Sequence, residues 1–225
     1  MRIGVIIAMD KEKKVLINSL SQKKSRKIAG QIFTLGKLFQ KTIIIAESGI
    51  GKVQAAMTTT ILINNYHPDL IVNTGSAGSL SSKLGIGDQI IATCLAYYDV
   101  FNTIRPGSVG QIPGKSLYFK SNHSLIKKFQ KVNPKAKEGL VVSGDSFVMQ
   151  KTKEKILQNF PKALAAEMEG VAVAQVSNNF EVPFIVLRAI SDSADGSANI
   201  SFDKFLEKAG EKSAEIFLNF AKAIR

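Results

Sequence analysis

The chain has 225 residues, 45% of them apolar and 21% charged, and a formal net charge of +12. That length allows one full sheet with helices on it, and no apolar run approaches the roughly 18 residues of a membrane span. A single cysteine, Cys94, excludes an internal disulfide framework and suits a reducing cytoplasm. The first apolar run, RIGVIIA at 2–8, reads as a buried strand, because charge resumes too soon for a signal sequence. A helix follows over 10–20. QIFTLGK (31–37) and TIIIAES (42–48) read as an antiparallel strand pair, and 51–65 as a helix. DLIVNT (69–74) and GDQIIAT (87–93) are the next strands, followed by a helix at 121–132 and the strand EGLVVSG (138–144). The pattern then gives a helix at 151–159, the strand ALAAEM (163–168), a helix at 169–179, the strand PFIVLRAIS (183–191) and a helix at 201–223. Several strands are apolar at nearly every position, as in sheets covered on both faces. Strand–helix alternation predicts a single-domain α/β fold over 1–225, a three-layer α/β/α arrangement with a central mixed, mostly parallel sheet.

The positive charge suggests an anionic partner, but its distribution argues otherwise. It lies in KKSRK (23–27) and in lysines scattered over 127–137 and 151–155, without the interleaved aromatics of a base-stacking surface. Within 165–200 the balance inverts: Glu167, Glu169, Glu181, Asp192 and Asp195 face Arg188 alone. A solvated basic surface is the reading preferred, with neither nucleic acid nor membrane as partner.

The segment AAEMEG (165–170) sets two glutamates in a small, apolar run. A buried carboxylate costs several kcal/mol unless something pairs with it or needs it. In α/β sheets ligands bind beyond the carboxyl ends of the strands. A strand ending near Met168 puts Glu169 at the rim of such a site and at a helix N-terminus, where negative charge is favoured. AMDKE (8–12), ESGIGK (47–52), NTGSAG (73–78), SGDSFV (143–148) and RAISDSAD (188–195) stand at the other strand ends.

Other chemistries do not fit. GIGK (49–52) lacks the first P-loop glycine, since Ala46 occupies its place, and Val53 replaces the Ser/Thr. Gly85 and Gly87 open a dinucleotide fingerprint that fails at Ile90. His67 and His123 have no metal-ligand spacing, and there is no nucleophile elbow. What remains is a set of acids at strand ends, Glu12, Glu169 and Asp192, with Gly-rich turns.

AMDKE, SGIGKVQAA, NTGSAGSL, LVVSGDSF, NFPKALAAEMEG, VLRAISDSAD and SFDKF together resemble the 5′-methylthioadenosine/S-adenosylhomocysteine nucleosidases of the nucleoside phosphorylase-like superfamily. The matches run in order from about residue 3 to residue 206. The resemblance implies a phosphorylase/hydrolase-like fold and hydrolysis of the bond between adenine N9 and ribose C1′, without metal or cofactor. Asp192 matches the general acid to adenine N7, Glu12 the base to water, and Glu169 the residue on the ribose hydroxyls. Ser76 and Arg188 match groups that position the water, with Ala77 and Gly78 beside Ser76. Phe147 would stack on adenine and backbone groups of Val148 would read its polar edge. Met168 would line the sugar, while Met9, Ile50 and Phe202 would close the thio-alkyl end. Ser191 would support Asp192 by hydrogen bonding, and Ala194 would contribute to an apolar wall beside it. An acid at neutral pH needs surroundings that disfavour its ionised form.

One stretch departs from the family. After AYYD (96–99), Tyr98 stands where a histidine is expected, and 100–110 aligns only by length. The resemblance implies a homodimer in which this stretch reaches the partner's pocket. Asn102 and Arg105 then replace apolar groups, and Arg105 would favour a polar or anionic 5′ substituent. Two rivals stand beside this reading. A purine nucleoside phosphorylase would use phosphate, which Glu12 would repel, and a nucleoside- or nucleic-acid-binding module would release no adenine.

Overall fold

The computed structural model describes residues 1–101, 108–194 and 198–224, and their side chains except those of 11, 12 and 198–207. The elements run β1 (Arg2–Ile7), α1 (Asp10–Asn18), β2 (Ser21–Ile28), β3 (Gln31–Leu38), β4 (Lys41–Glu47), α2 (Lys52–Tyr66), β5 (Leu70–Ser79) and β6 (Gln89–Tyr97). They continue with β7 (Phe119–Lys120), α3 (His123–Val132), β8 (Lys137–Ser143), α4 (Gln150–Asn159), β9 (Ala163–Glu167), α5 (Gly170–Asn179), β10 (Phe184–Asp192) and α6 (Ala198–Ala223). No helix among the described residues is long and apolar enough to cross a membrane.

The strands form one mixed sheet. β1 lies between β4 and β5, both parallel to it. β5 also runs parallel to β10, and β8 parallel to both β6 and β9. The pairs β2–β3, β3–β4, β5–β9, β6–β7 and β6–β10 are antiparallel. Parallel and antiparallel pairings are therefore equally represented, and the expected predominance of parallel strands does not hold. Two of the antiparallel pairs close β5, β10, β6, β8 and β9 into a ring, and the other three come from the β2–β3–β4 edge and the short β7.

Side-chain alternation assigns the faces. Ile3, Val5 and Ile7 of β1, with Ile43 and Ile45 of β4, pack on Leu16, Phe129, Phe217 and Phe220 of α1, α3 and α6. Ile6, Ile44 and Ala46 face the other way, onto Ala55 and Leu62 of α2 and, within the same cluster, Val171 and Ala174 of α5. Each fully buried Ile, Val or Phe contributes about 1.5–3 kcal/mol. Gly4 lets α2 approach β1, since a Cβ there would lie 2.5 Å from a Leu62 methyl.

β2 carries SQKKSRKI, to which the pattern assigns no element and only a solvated basic surface, and it is a strand on the outer edge of the sheet. Seven of its eight residues are exposed and Ile28 is half-buried, so no apolar alternation marks it. Lysines on such an edge discourage pairing with another chain. β5 and β6 also run further than expected, to Ser79 and Tyr97. NTGSAG (73–78) is thus strand rather than turn, despite its glycines.

Candidate active site

A cavity of about 170 Å³ opens at the carboxyl ends of β1, β4, β5, β8, β9 and β10. Ala8 and Met9 reach it after β1, Ile50 after β4, and Ser76, Ala77 and Gly78 from the end of β5. Ser146, Phe147 and Val148 follow β8, Met168 and Glu169 follow β9, and Arg188, Ser191 and Asp192 end β10. The structure therefore brings together twelve expected residues drawn from six segments. Ala194 is fully buried beside them and packs with Val148 in the same apolar cluster. Glu12 lies in the first turn of α1, just after the cavity-lining Met9, but its side chain is outside those described, as is that of Phe202 in α6. Asn102 and Arg105 lie outside the described residues.

Asp192 is 4% exposed and holds two hydrogen bonds. The Ala194 N–H donates to its Oδ1 at 2.8 Å and the Ser191 hydroxyl to its Oδ2 at 2.8 Å. Ala194 sits at φ +50°, in the left-handed region that is uncommon for a residue with a side chain. Gly78 is required opposite: a Cβ there would stand 2.9 Å from Asp192 Oδ1. Lys153 of α4 ties this corner together by donating to the Ser79 and Ser193 carbonyls at 2.9 and 2.6 Å.

Glu169 is the N-cap residue of α5, and its Oε1 accepts the N–H of Gly51, the N-cap residue of α2, at 2.8 Å. The positive ends of two helix dipoles therefore meet at one carboxylate. Asp145 accepts the next N–H of α2, from Lys52, at 2.8 Å. α2 is capped by side chains from other elements, so no capping residue precedes it in the sequence.

Glu167 ends β9 and lines the cavity, almost wholly buried. It accepts from Arg188 Nη2 and the Ser143 hydroxyl, and from the N–H groups of Glu169 at 3.0 Å and Gly170 at 2.7 Å. Arg188, 1% exposed, also donates to Asn73 Oδ1 and to its neighbour's carbonyl. Its Nε has no hydrogen-bond partner among the described residues, which leaves one buried donor beside the cavity. Glu167, Asn73 and Thr74 are lining residues that the sequence reading did not select. A glutamate closing an apolar strand, in a stretch with one arginine, was the available signal for Glu167.

Tyr98, the residue in place of the expected histidine, anchors the adjoining wall. Its ring covers Gly144, where a Cβ would fall 2.4 Å from Cζ, and its hydroxyl donates to the Ser146 carbonyl at 2.6 Å. Burial, then the charge of Asp99, pushes the Tyr98 phenol up to about 12. Lys52 joins Asp99 at 2.6 Å, and Asp99 accepts the Asp145 N–H at 2.9 Å, so the loop bearing Phe147 is fastened to α2. The result is a largely apolar pocket with carboxylates on two walls and one buried guanidinium, suited to a neutral ligand that develops positive charge.

The sequence model of the phosphorylase superfamily matches residues 2–222. The chain is 44% identical to the 5′-methylthioadenosine/S-adenosylhomocysteine nucleosidase of Staphylococcus saprophyticus, over 99% of this chain and 100% of that one. Among solved structures it resembles the S-adenosylhomocysteine nucleosidase of Streptococcus pyogenes in complex with 5-methylthiotubericidin. That match has a TM-score of 0.97 and 37% identity and covers 100% of this chain and 98% of that one. The 5′-methylthioadenosine/S-adenosylhomocysteine nucleosidase of S. pneumoniae, with a transition-state inhibitor, matches at TM-score 0.96 and 38% identity over the whole of both chains.

Proposed function

This chain belongs to the 5′-methylthioadenosine/S-adenosylhomocysteine nucleosidase family of the phosphorylase superfamily, and from that premise we propose that it hydrolyses the N-glycosidic bond of those two nucleosides. The products are adenine and the 5′-thio-substituted ribose. The observation that carries this reading is that Glu169 and Asp192 line one cavity with Ser76 and Arg188.

The proton ledger assigns the roles. Cleavage of the C1′–N9 bond leaves an electron pair on adenine, and Asp192 supplies the proton at N7 that makes adenine a good leaving group. The ribosyl group becomes cationic, which the carboxylate of Glu169 on the ribose hydroxyls favours. Water attacks C1′ and passes its proton to Glu12. Ser76 and the unpartnered Nε of Arg188 are suited to holding that water. Each proton transfer contributes about 10²–10⁴-fold, or roughly 3–5.5 kcal/mol. Phe147 supplies a face for adenine, Val148 backbone groups its polar edge, and Met168 a contact to the sugar. Met9, Ile50 and Phe202 close the thioether end.

The whole chain acts as one domain in this reading, its two helical faces forming the outer layers of a three-layer α/β/α arrangement around the partly closed sheet. A homodimer completes the site. Ile50, which lines the cavity, and Met149, next to the lining Val148, are 56% and 42% exposed, and Val53 in the first turn of α2 is 77% exposed. Apolar side chains so grouped mark an interaction surface. The single, unpaired cysteine accords with work in the cytoplasm.

The test is chromatographic detection of adenine from methylthioadenosine, S-adenosylhomocysteine and 5′-deoxyadenosine, with and without phosphate. Adenine release independent of phosphate is expected. Turnover that requires phosphate and yields a ribose 1-phosphate product would replace hydrolysis with phosphorolysis, and no adenine at all would remove the enzyme reading.

A further inference from the structure

We propose that Glu167 is a positioning residue of the reaction: its carboxylate sets both the guanidinium of Arg188 and the backbone that presents Glu169. The inference rests on the nucleosidase reading above and deepens it. Glu167 Oε2 accepts from Arg188 Nη2, the Glu169 N–H and the Gly170 N–H, while Oε1 accepts from the Ser143 hydroxyl. Ser143 Oγ in turn accepts the Val171 N–H at 2.9 Å.

Four donors converge on this one carboxylate, three of them on Oε2. The Glu167 and Arg188 side chains are each 2% exposed, so an ion removed from this pair would leave its partner buried and uncompensated. The same oxygen that pairs with Arg188 caps the first turn of α5, whose N-cap residue is Glu169. Arg188 and the backbone that presents Glu169 are therefore both held by one group. Gly170 belongs to this arrangement: a Cβ there would stand 3.0 Å from Glu167 Oε1. Glutamine has nearly the same shape but must direct an NH₂ at existing donors, so it cannot satisfy the set.

Adenine release by Glu167→Gln, Arg188→Met and the double variant tests this, alongside melting temperatures and the wild type. Glu167→Gln is expected to lower kcat on the order of 10–100-fold, with a much smaller change in KM, since misplacement of reacting groups by about an ångström has that effect. In the Arg188→Met background the same change should cost less than about threefold, because the two act as a unit. A merely structural residue would lower the melting temperature and multiply the two losses independently. Should Glu167→Gln fail to fold, Ser143→Ala decides: it keeps the charge, frees Oε1, and should reduce kcat by about three- to tenfold at unchanged KM. A folded Glu167→Gln within about threefold of wild-type kcat, or a Ser143→Ala variant with wild-type kcat, overturns the proposal. If the wild type itself releases no adenine, the functional reading fails instead.

Discussion

The backbone N–H of Gly51 donates to Oε1 of Glu169 across 2.8 Å, joining the first turn of α2 to the first turn of α5 over 118 residues of sequence. Gly51 does so at φ +97°, where L residues are strained, and a Cβ would stand 3.1 Å from Asp145 Oδ1. Gly51→Ala is expected to destabilise the fold by about 1–3 kcal/mol. By shifting Glu169 it should also lower kcat/KM on the order of tenfold. Wild-type values of both melting temperature and kcat/KM would contradict this account of the position.

Asp192→Asn separates proton donation from binding. The asparagine can keep the Ala194 N–H on its oxygen, and the Ser191 hydroxyl can turn to the Ala77 carbonyl, 3.3 Å away, and accept from the new amide. Geometry survives while the acid is lost. kcat should fall by about 10²–10⁴-fold. The Kd for methylthioadenosine, read by calorimetry, should stay within about tenfold. Retained turnover would move the acid to another residue.

Lys52 is the bolt of the Phe147 loop. It lies 2.6 Å from both Asp99 oxygens, 3.6 Å from Asp145 and 5.3 Å from the centre of the Tyr97 ring. Lys52→Met leaves those carboxylates facing each other, and a loss of about 1.5–3 kcal/mol is expected. Because the loop would bear on the base and not on proton transfer, KM should rise more than kcat falls. Steady-state kinetics and chemical denaturation read the two effects. A fall in kcat at constant KM would place Lys52 in the chemistry instead.

Alkaline unfolding should report the two buried phenols. Burial, followed by the charge of Asp99, pushes Tyr97 and Tyr98 from 10 to about 12. Between those values the folded chain holds protons that the unfolded chain has lost. Their stabilising contribution is complete below pH 10 and disappears as pH rises through about 12. Urea midpoints measured from pH 9 to 12 should fall less steeply for Tyr98→Phe than for wild type. The variant starts lower, having lost its bond to the Ser146 carbonyl. Parallel slopes would exclude the assignment.

Cys94 should be a slow thiol. Burial pushes its pKa up, and the thiolate is the reactive form. Its reaction with a disulfide reagent at pH 8 is expected to be at least about tenfold slower than that of a free cysteine, and to accelerate on unfolding in urea. A rate equal to free cysteine would refute this.

Much of this protein is determined by local sequence. Runs such as RIGVIIA and PFIVLRAIS can only be strands covered on both faces, and Leu125, Ile126 and Phe129 mark the buried stripe of α3. The order of motifs at strand ends likewise identifies the family and the residues around the cavity, because α/β connections put ligands there. These signals survive in one dimension because they arise from periodicity and from contiguous stretches of chain.

What tertiary structure alone decided lacks any such trace. The exposed edge strand β2 has no apolar period, since neither face is buried. Closure of β5, β10, β6, β8 and β9 depends on pairings between distant strands, so the sheet is more antiparallel than its strand–helix rhythm suggests. The caps of α2 come from Glu169 and Asp145, far away in sequence. The two glutamates of AAEMEG look equivalent on the page, yet β9 ends at Glu167 while Glu169 is the N-cap residue of α5. Glu167 is turned inward, onto Arg188, Ser143 and two backbone N–H groups, and Glu169 lines the cavity against the Gly51 N–H. A carboxylate takes its role from the donors that surround it, and those are assembled only when the chain folds.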